Sequence, residues 1–137
     1  MRALIDTGAL IALARPTDQH HREAVTVARG HRAAGGHFLG STLVLGEFHA
    51  HLLRLRGPTQ ADQVLLRLLD DPIHDWREVS PELVREATEN WLLRFRDQTF
   101  TLVDAVSFEL MQREGVDRAF AFDRRFQVAG FALLTEM

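Results

Sequence analysis

Four acidic residues that are far apart in the chain have neighbours typical of a shared site: Asp6, Glu47, Asp104 and Asp123. Asp6 and Asp123 each follow a short apolar segment, which is typical of the carboxyl end of a buried strand. In an open parallel sheet, ligands bind beyond those ends. Carboxylates that meet there repel one another unless a cation neutralises them, and oxygen ligands favour Mg²⁺ or Mn²⁺. The pattern therefore predicts a site for metal-assisted hydrolysis of a phosphodiester.

Each of these acids also has a structural explanation when it is considered alone. Asp6 and Asp123 could each cap the turn or helix that follows, and Asp104 ends a capping-box pattern that begins at Thr101. Glu47 has mostly apolar neighbours three and four residues away, so it is predicted to lie on the buried side of its helix, with His51 as the alternative contact. The metal-site hypothesis depends on the convergence of the acids.

Short apolar segments alternate with amphipathic ones, and this alternation predicts an α/β fold. The strand candidates are residues 3–5, 38–39, 76–79, 119–122 and 131–134, with helical patterns between them. Strands that are joined through helices form a mainly parallel sheet, which is buried on both faces. We find no internal repeat and no linker, so residues 1–137 are expected to form a single domain.

Helix starts are indicated by capping residues at four positions. The predicted caps are Asp18, Thr42, Ser80 and Thr101, for helices that end near residues 34, 56, 92 and 115. Asp104 would then lie in the first turn of a largely apolar helix. Its carboxylate is expected to face the interior of the fold.

Composition excludes some classes of protein and leaves nucleic-acid binding open. The sixteen basic residues are all Arg, which can bind phosphate in a bidentate manner, although a codon bias is the simpler explanation. The net charge of −3 does not indicate a nucleic-acid-binding protein. However, nineteen acids include the four candidates, and the remaining fifteen against sixteen Arg give a charge of +1. Net charge therefore does not discriminate between functions.

The chain is also expected to be cytoplasmic and not bound to a membrane. Its beginning resembles a signal peptide, but Asp6 interrupts the apolar run and no small-residue cleavage site follows. The chain has no apolar run long enough to span a bilayer. Cysteine is absent, which excludes disulfides and thiolate metal sites.

Two other kinds of catalytic site are disfavoured by spacing. His49 and His51 lie on different faces of a helix, and the adjacent His20 and His21 cannot easily share one ion, so a zinc site is not predicted. A haloacid-dehalogenase-like phosphatase requires a second Asp two residues after the first, where this chain has Gly8.

Three segments resemble the PIN-domain family, in particular the VapC-type toxin ribonucleases of toxin–antitoxin systems. They are LIDTGALIALA, STLVLGEFHAHL and TLVDAVSFELMQREGVDRAFAFDRRFQVAGF. The third is the most specific, because an Asp leads an apolar helix and a second Asp follows a strand. The resemblance covers nearly the whole chain and is weakest between Gly57 and Arg96. It implies a PIN-like three-layer α/β/α fold with a mainly parallel five-stranded sheet.

The resemblance also implies roles for the acids. The four of them match the catalytic acids of the family, and metal ligation is expected of Asp6, Asp104 and Asp123. Glu47 is expected either to ligate through water or to orient the attacking water as a general base.

Three further residues are expected to bind substrate. Thr7 fits the hydroxyl residue that the family often has beside its first acid. Arg124 and Arg125 stand where some members carry an additional acid, which leaves a second metal ion open, and they are expected to hold phosphate.

The family likeness further implies dependence on Mg²⁺ or Mn²⁺, endonucleolytic cleavage of RNA, a homodimer and a cognate antitoxin. Two alternatives keep the fold: an RNA-processing nuclease outside a toxin–antitoxin system, and a non-catalytic module that binds nucleic acid or a partner. The presence of all four acids disfavours the second. DNA or a structured ribosomal RNA precursor is an alternative substrate, since single-strand specificity comes from loop shape and stacking.

Overall fold

Five parallel strands form the centre of the computed structural model, which describes the backbone of residues 1–136 and the side chains of residues 1–135. Their order in the sheet is β3-β2-β1-β4-β5, and all neighbouring pairs are parallel. The predicted five-stranded sheet is confirmed. The strands are β1 (Arg2–Ile5), β2 (His37–Ser41), β3 (His74–Arg77), β4 (Arg118–Phe120) and β5 (Ala132–Leu133).

Helices connect these strands and cover both faces of the sheet. Each helix begins and ends as follows: α1 (Thr7–Ala14), α2 (His21–Ala33), α3 (Thr42–Arg56), α4 (Pro58–Asp70), α5 (Pro81–Ala87), a π-helical turn (Thr88–Leu92), α6 (Leu102–Glu114), α7 (Arg125–Val128) and a 3₁₀ turn (Leu134–Glu136). Among the described residues, no helix has the length and apolar character needed to cross a membrane.

The alternation of side chains along β1 divides the core into two layers. Ala3 and Ile5 belong to the apolar cluster formed with α1, α3 and α4, whereas Leu4 belongs to the cluster formed with α5 and α6. Successive residues of a strand point to opposite faces, so a strand that is apolar at every position is buried on both sides. This arrangement confirms the three-layer α/β/α prediction.

The order of the strands determines where ligands can bind. From β1 the chain proceeds to β2 and β3 on one side of the sheet, and then returns to place β4 on the other side of β1. This reversal opens a crevice beyond the carboxyl ends of β1 and β4, which is the usual position of a binding site in such a sheet.

Several predicted boundaries were wrong by a few residues. The helix that follows β2 is capped by Ser41, whose Oγ accepts the Val44 N–H, so Thr42 is its first residue and not its cap. Asp18 does not cap α2, because its carboxylate accepts the His20 N–H within the preceding loop. Ser41 and Thr42 belong to the same class of capping residues, and only the backbone geometry decides which of them caps α3, whereas the cap position of α2 has no side-chain capping hydrogen bond.

Two further differences concern regular structure itself. The strand predicted at residues 76–79 lies at His74–Arg77, and the helix predicted to continue from Ser80 through Leu92 changes to a π-helical turn after Ala87. The short helix α7 was not predicted at all, since four residues are too few to produce a periodic pattern.

Candidate active site at the carboxyl ends of the central strands

Asp6 and Asp123 lie beyond two adjacent strands of the sheet. Asp6 follows β1 and its N–H donates to the Phe120 carbonyl at 3.1 Å, which extends the pairing of β1 with β4. Both carboxylates line a cleft of about 280 Å³ at the strand-order reversal. The other lining residues are Thr7, Gly8, Ile11, Glu47, His51, Arg54, Thr101, Asp104 and Arg125. The structure therefore brings all four predicted acids to one cleft.

Asp6 is buried, with 5% of its surface exposed. It occupies the position before α1, but its side chain makes no capping hydrogen bond. Burial, and then the negative charges of Asp123 and Asp104, raise the pKa of Asp6 from 3.8 to about 7. The carboxylate is thus held in a place where its charged form is disfavoured unless a cation approaches.

Asp104 has both of the roles that its sequence context allowed. It lies in the first turn of α6, where the Thr101 N–H donates to its Oδ2 at 2.9 Å and its own N–H donates to the Thr101 Oγ1 at 3.2 Å. The predicted capping box is confirmed. The same side chain also lines the cleft, and burial raises the pKa of Asp104 despite the opposing hydrogen bond from Thr101 and the charge of Arg125.

Arg125 is the cation that the structure places among these acids. Its guanidinium donates to the Asp123 Oδ2 at 2.8 Å and to the Asp104 Oδ2 at 3.2 Å. Burial alone would raise the pKa of Asp123, but the hydrogen bonds and charge of Arg125 outweigh it and lower that pKa. The pKa of Arg125 is raised in turn, chiefly by its hydrogen bond to Asp123. The guanidinium therefore neutralises part of the acidic cleft.

Glu47 lines the cleft but is exposed, so the prediction that it would be buried was wrong. Helix α3 buries Val44 and Phe48 instead, and its side that carries Glu47 turns away from the core toward the cleft. The apolar neighbours three and four residues from Glu47 did not determine which side of α3 is buried. The apolar stripe of a helix can be broader than the face that is buried, and a residue at the edge of that stripe is then exposed.

His51 is a residue of the cleft that the sequence indicated only as a contact of Glu47, and not as part of the site. It follows Glu47 by four residues on α3 and lines the same cleft, and its Nε2 is buried without a hydrogen-bond partner among the described residues. Burial, followed by the charges of Arg54 and Arg15, lowers the pKa of His51. The spacing of residues 47, 51 and 54 on one helix face was the available signal.

The three predicted substrate-binding residues differ in their positions. Thr7 lines the cleft with its Oγ1 buried and without a hydrogen-bond partner in the described part of the chain. Arg125 also lines the cleft, as described above. Arg124 is exposed and is not among the described residues that form its wall.

The donor atoms of the cleft suit a hard divalent cation, although the side chains do not form a coordination shell in this structure. The carboxylates of Asp6, Asp104 and Asp123 and the unpartnered Thr7 hydroxyl offer oxygen ligands, and burial, followed by the charges of the other two acids, destabilises the charged form of Asp6. Among the residues described, however, no three or more acidic or histidine side chains stand close enough to hold an ion as they are. Since Arg125 contacts both Asp104 and Asp123, an ion would have to displace it.

Comparison with known proteins identifies relatives of this chain. It is 42% identical over 53 residues to the 23S rRNA-specific endonuclease VapC20 of two Mycobacterium tuberculosis strains, which covers 39% of this chain and 40% of the relative. The chain thus matches less than half the length of those curated relatives. The crystal structure of M. tuberculosis VapC20, described as a Sarcin-Ricin loop cleaving toxin, superposes with a TM-score of 0.81 and 29% identity over 95% of this chain and 96% of that one.

A more distant structure shares the fold. VapBC2 from Rickettsia felis, crystallised with a DNA fragment from its promoter, has a TM-score of 0.71 and 13% identity over 97% of each chain.

PIN-domain nucleases in general depend on divalent metal ions. The sequence profile of the PIN domain matches residues 3–132, which is nearly the full length of the chain. The chain belongs to the PIN domain family.

Proposed function

We propose that this chain is a metal-dependent endoribonuclease that hydrolyses RNA phosphodiester bonds, with residues 1–137 acting as one PIN-like domain. The observation that carries the proposal is the convergence of Asp6, Asp104 and Asp123 on one cleft at the reversal of strand order. Burial and the neighbouring acids disfavour the charged form of Asp6, and a divalent ion in the cleft would offset this cost and serve the hydrolysis of a phosphodiester.

The relatives support RNA as the substrate. VapC20 is named as an endonuclease specific for 23S rRNA, and its fold agrees with this chain along nearly the whole length of both. We infer that this chain cleaves a structured RNA of the same class and that it is the toxin of a VapBC-type pair. A cognate antitoxin is then its protein partner, and a homodimer and a cytoplasmic location stay predictions.

We assign Asp6, Asp104 and Asp123 as ligands of Mg²⁺ or Mn²⁺, with the Thr7 hydroxyl beside them. When bound, such an ion stabilises the charge that develops on the phosphodiester and favours the ionisation of an attacking water. The capping box holds Asp104 in place through two hydrogen bonds to Thr101, so its carboxylate reaches the cleft in a defined rotamer. No covalent intermediate with the protein is required.

Glu47 is the group with a different role. It is exposed on α3 at the wall of the cleft and has no ion pair among the described residues, so its carboxylate is available to accept a proton from the attacking water. Arg125 is the phosphate-binding candidate inside the cleft, because its guanidinium contacts Asp104 and Asp123 and would be free to bind a phosphate if a metal ion were held by those two carboxylates. Arg124 is exposed beside it and offers a second contact at the rim.

The test compares cleavage by the wild-type chain and by two Asp→Asn variants that remove the same charge. Labelled RNA and DNA oligonucleotides and ribosomal RNA are incubated with Mn²⁺ or with a chelator. Asp104→Asn is expected to abolish cleavage, whereas Asp70→Asn, at the exposed end of α4, is expected to leave it unchanged. Cleavage that survives the chelator, or that survives Asp104→Asn, contradicts the proposal.

The same assay separates the alternatives that keep the fold. Binding of RNA without cleavage under any condition indicates a non-catalytic PIN-like module, and cleavage of DNA in preference to RNA changes the substrate. Expression of the wild-type chain in a bacterial host is expected to be toxic, and expression of Asp6→Ala is not. A chain that cleaves RNA in vitro but is harmless on expression would be an RNA-processing nuclease outside a toxin–antitoxin system.

A further inference from the structure

A second groove adjoins the acidic cleft and has a different character. Its lining residues are Gly8, Ile11, Asp18, His20, Phe122 and Asp123, of which Gly8, Ile11 and Asp123 also bound the cleft or its edge. Its volume, about 280 Å³, is similar to that of the cleft. A polynucleotide that places one phosphate in the cleft therefore has a neighbouring nucleotide within reach of this groove.

An aromatic pair forms one wall of the groove. The rings of His20 and Phe122 stack with their centroids 4.3 Å apart and their planes 6° from parallel. Phe122 also contacts Phe120 of β4 edge-on, with ring centroids 6.0 Å apart, and this contact anchors the His20–Phe122 pair to the sheet. Both rings are only partly buried, so the stack continues to the surface of the groove.

The position of His20 is held by the backbone and leaves its ring available. Its N–H donates to the Asp18 Oδ1 at 2.8 Å, and the next residue, His21, is hydrogen-bonded through Nδ1 to the Ala12 carbonyl at 2.7 Å. Although His20 stands at the cap position of α2, its side chain makes no capping hydrogen bond. Helix capping therefore does not explain why an aromatic side chain lies at this place.

We propose that this groove, hereafter the His20 groove, binds one base of the RNA next to the cleaved phosphodiester by stacking it on the His20–Phe122 pair. The inference rests on the RNA substrate proposed above. The Asp18 carboxylate borders the groove and repels a phosphate, whereas a neutral base can stack beside it. The Asp18 carboxylate at the wall accepts hydrogen bonds, and this favours a base with an exocyclic amino group over uracil.

The test measures binding apart from cleavage. A fluorescently labelled RNA oligonucleotide is titrated with the protein in a chelator, and a single abasic nucleotide is moved along its sequence. Three variants are compared with the wild type: His20→Ala removes the ring, His20→Phe keeps a stacking ring, and His37→Ala removes an exposed His at the start of β2, at the opposite end of the sheet.

His20→Ala is expected to weaken binding of the intact RNA about tenfold, and His20→Phe to restore it to within about twofold. RNA that is abasic at one particular position is expected to bind the wild type about as weakly as intact RNA binds His20→Ala. The same abasic RNA is expected to bind His20→Ala no more weakly than intact RNA does. His37→Ala is expected to bind as the wild type does. The shared loss at one nucleotide identifies the base that the ring contacts.

Other results overturn the proposal. If His20→Ala and the abasic position weaken binding independently, or if His20→Ala acts equally on every oligonucleotide, the ring has only a structural role. If His20→Phe fails to restore binding while its melting temperature matches the wild type, stacking is not the interaction. A failure of the proposed function can be told apart from these results. If RNA binds at the His20 groove but is never cleaved in the presence of Mn²⁺, the proposed catalysis is refuted and the proposed base-binding groove is not.

Discussion

The substitution Asp6→Asn is expected to stabilise the metal-free protein at alkaline pH and to have much less effect at acidic pH. Burial and the charges of Asp123 and Asp104 raise the pKa of Asp6 from 3.8 to about 7. Because the folded-state pKa lies above that of the unfolded chain, this carboxyl contributes stability that is fully present below about pH 4 and is lost as the pH rises through about 7. Asn keeps the shape of the side chain and carries no charge at any of these pH values.

The size of the effect follows from the difference between the two pKa values. About three pH units at about 1.4 kcal/mol each correspond to about 4 kcal/mol in total, and about 3 kcal/mol of this falls between about pH 5 and about pH 8.5. For a chain of 137 residues, about 3 kcal/mol corresponds to a change in melting temperature of about 10 °C. The effect is therefore well above the error of an unfolding experiment.

The measurement is the free energy of unfolding in urea, across this pH range and with a chelator present, for the wild type, Asp6→Asn and the exposed control Asp70→Asn. The difference between wild type and variant cancels the titration of His51 and His74, whose lowered pKa values make stability rise with pH in both proteins. Asp6→Asn should gain about 3 kcal/mol relative to the wild type between the two pH values, and Asp70→Asn should gain nothing. A pH-independent difference for Asp6→Asn would refute the idea that a charged Asp6 is costly in the folded chain.

Three further predictions concern the same region. Arg125→Gln should bind Mn²⁺ about tenfold more tightly than the charge-matched Arg124→Gln in calorimetry, because the Arg125 guanidinium contacts two of the proposed ligands and its positive charge opposes a cation there; equal affinities would show that Arg125 does not compete. Asp104→Asn should keep or raise the melting temperature of the metal-free protein, since the amide oxygen can still accept the Thr101 N–H, and an unfolded variant would contradict this. Ser41→Ala should lower the free energy of unfolding by about 1 kcal/mol through loss of the α3 cap, and an unchanged urea midpoint would argue against that cap.

The sequence alone was sufficient to predict the parallel sheet and the placement of three of the four acids, Asp6, Asp104 and Asp123. Strand β1 is apolar at successive positions, which only a strand buried on both faces tolerates, and this pattern predicted the parallel sheet. An Asp that follows such a strand lies beyond its carboxyl end, so local pattern placed Asp6 directly after β1 and Asp123 after the strand predicted at residues 119–122, although β4 ends at Phe120. Asp104 was placed by its capping box, because that motif determines the rotamer of the side chain within one helical turn.

Tertiary structure decided what depends on neighbours from distant parts of the chain. The exposure of Glu47 depends on how α3 is rotated against the sheet, and its neighbours three and four residues away do not specify that rotation. The ion pairs of Arg125 with Asp104 and Asp123 require the start of α6 to meet the loop after β4, which no local pattern encodes. The stacking of His20 on Phe122 likewise joins residues a hundred positions apart. Local sequence determines backbone conformation through short-range sterics and hydrogen bonds, whereas the environment of a charge or a ring is set by the packing of the whole fold.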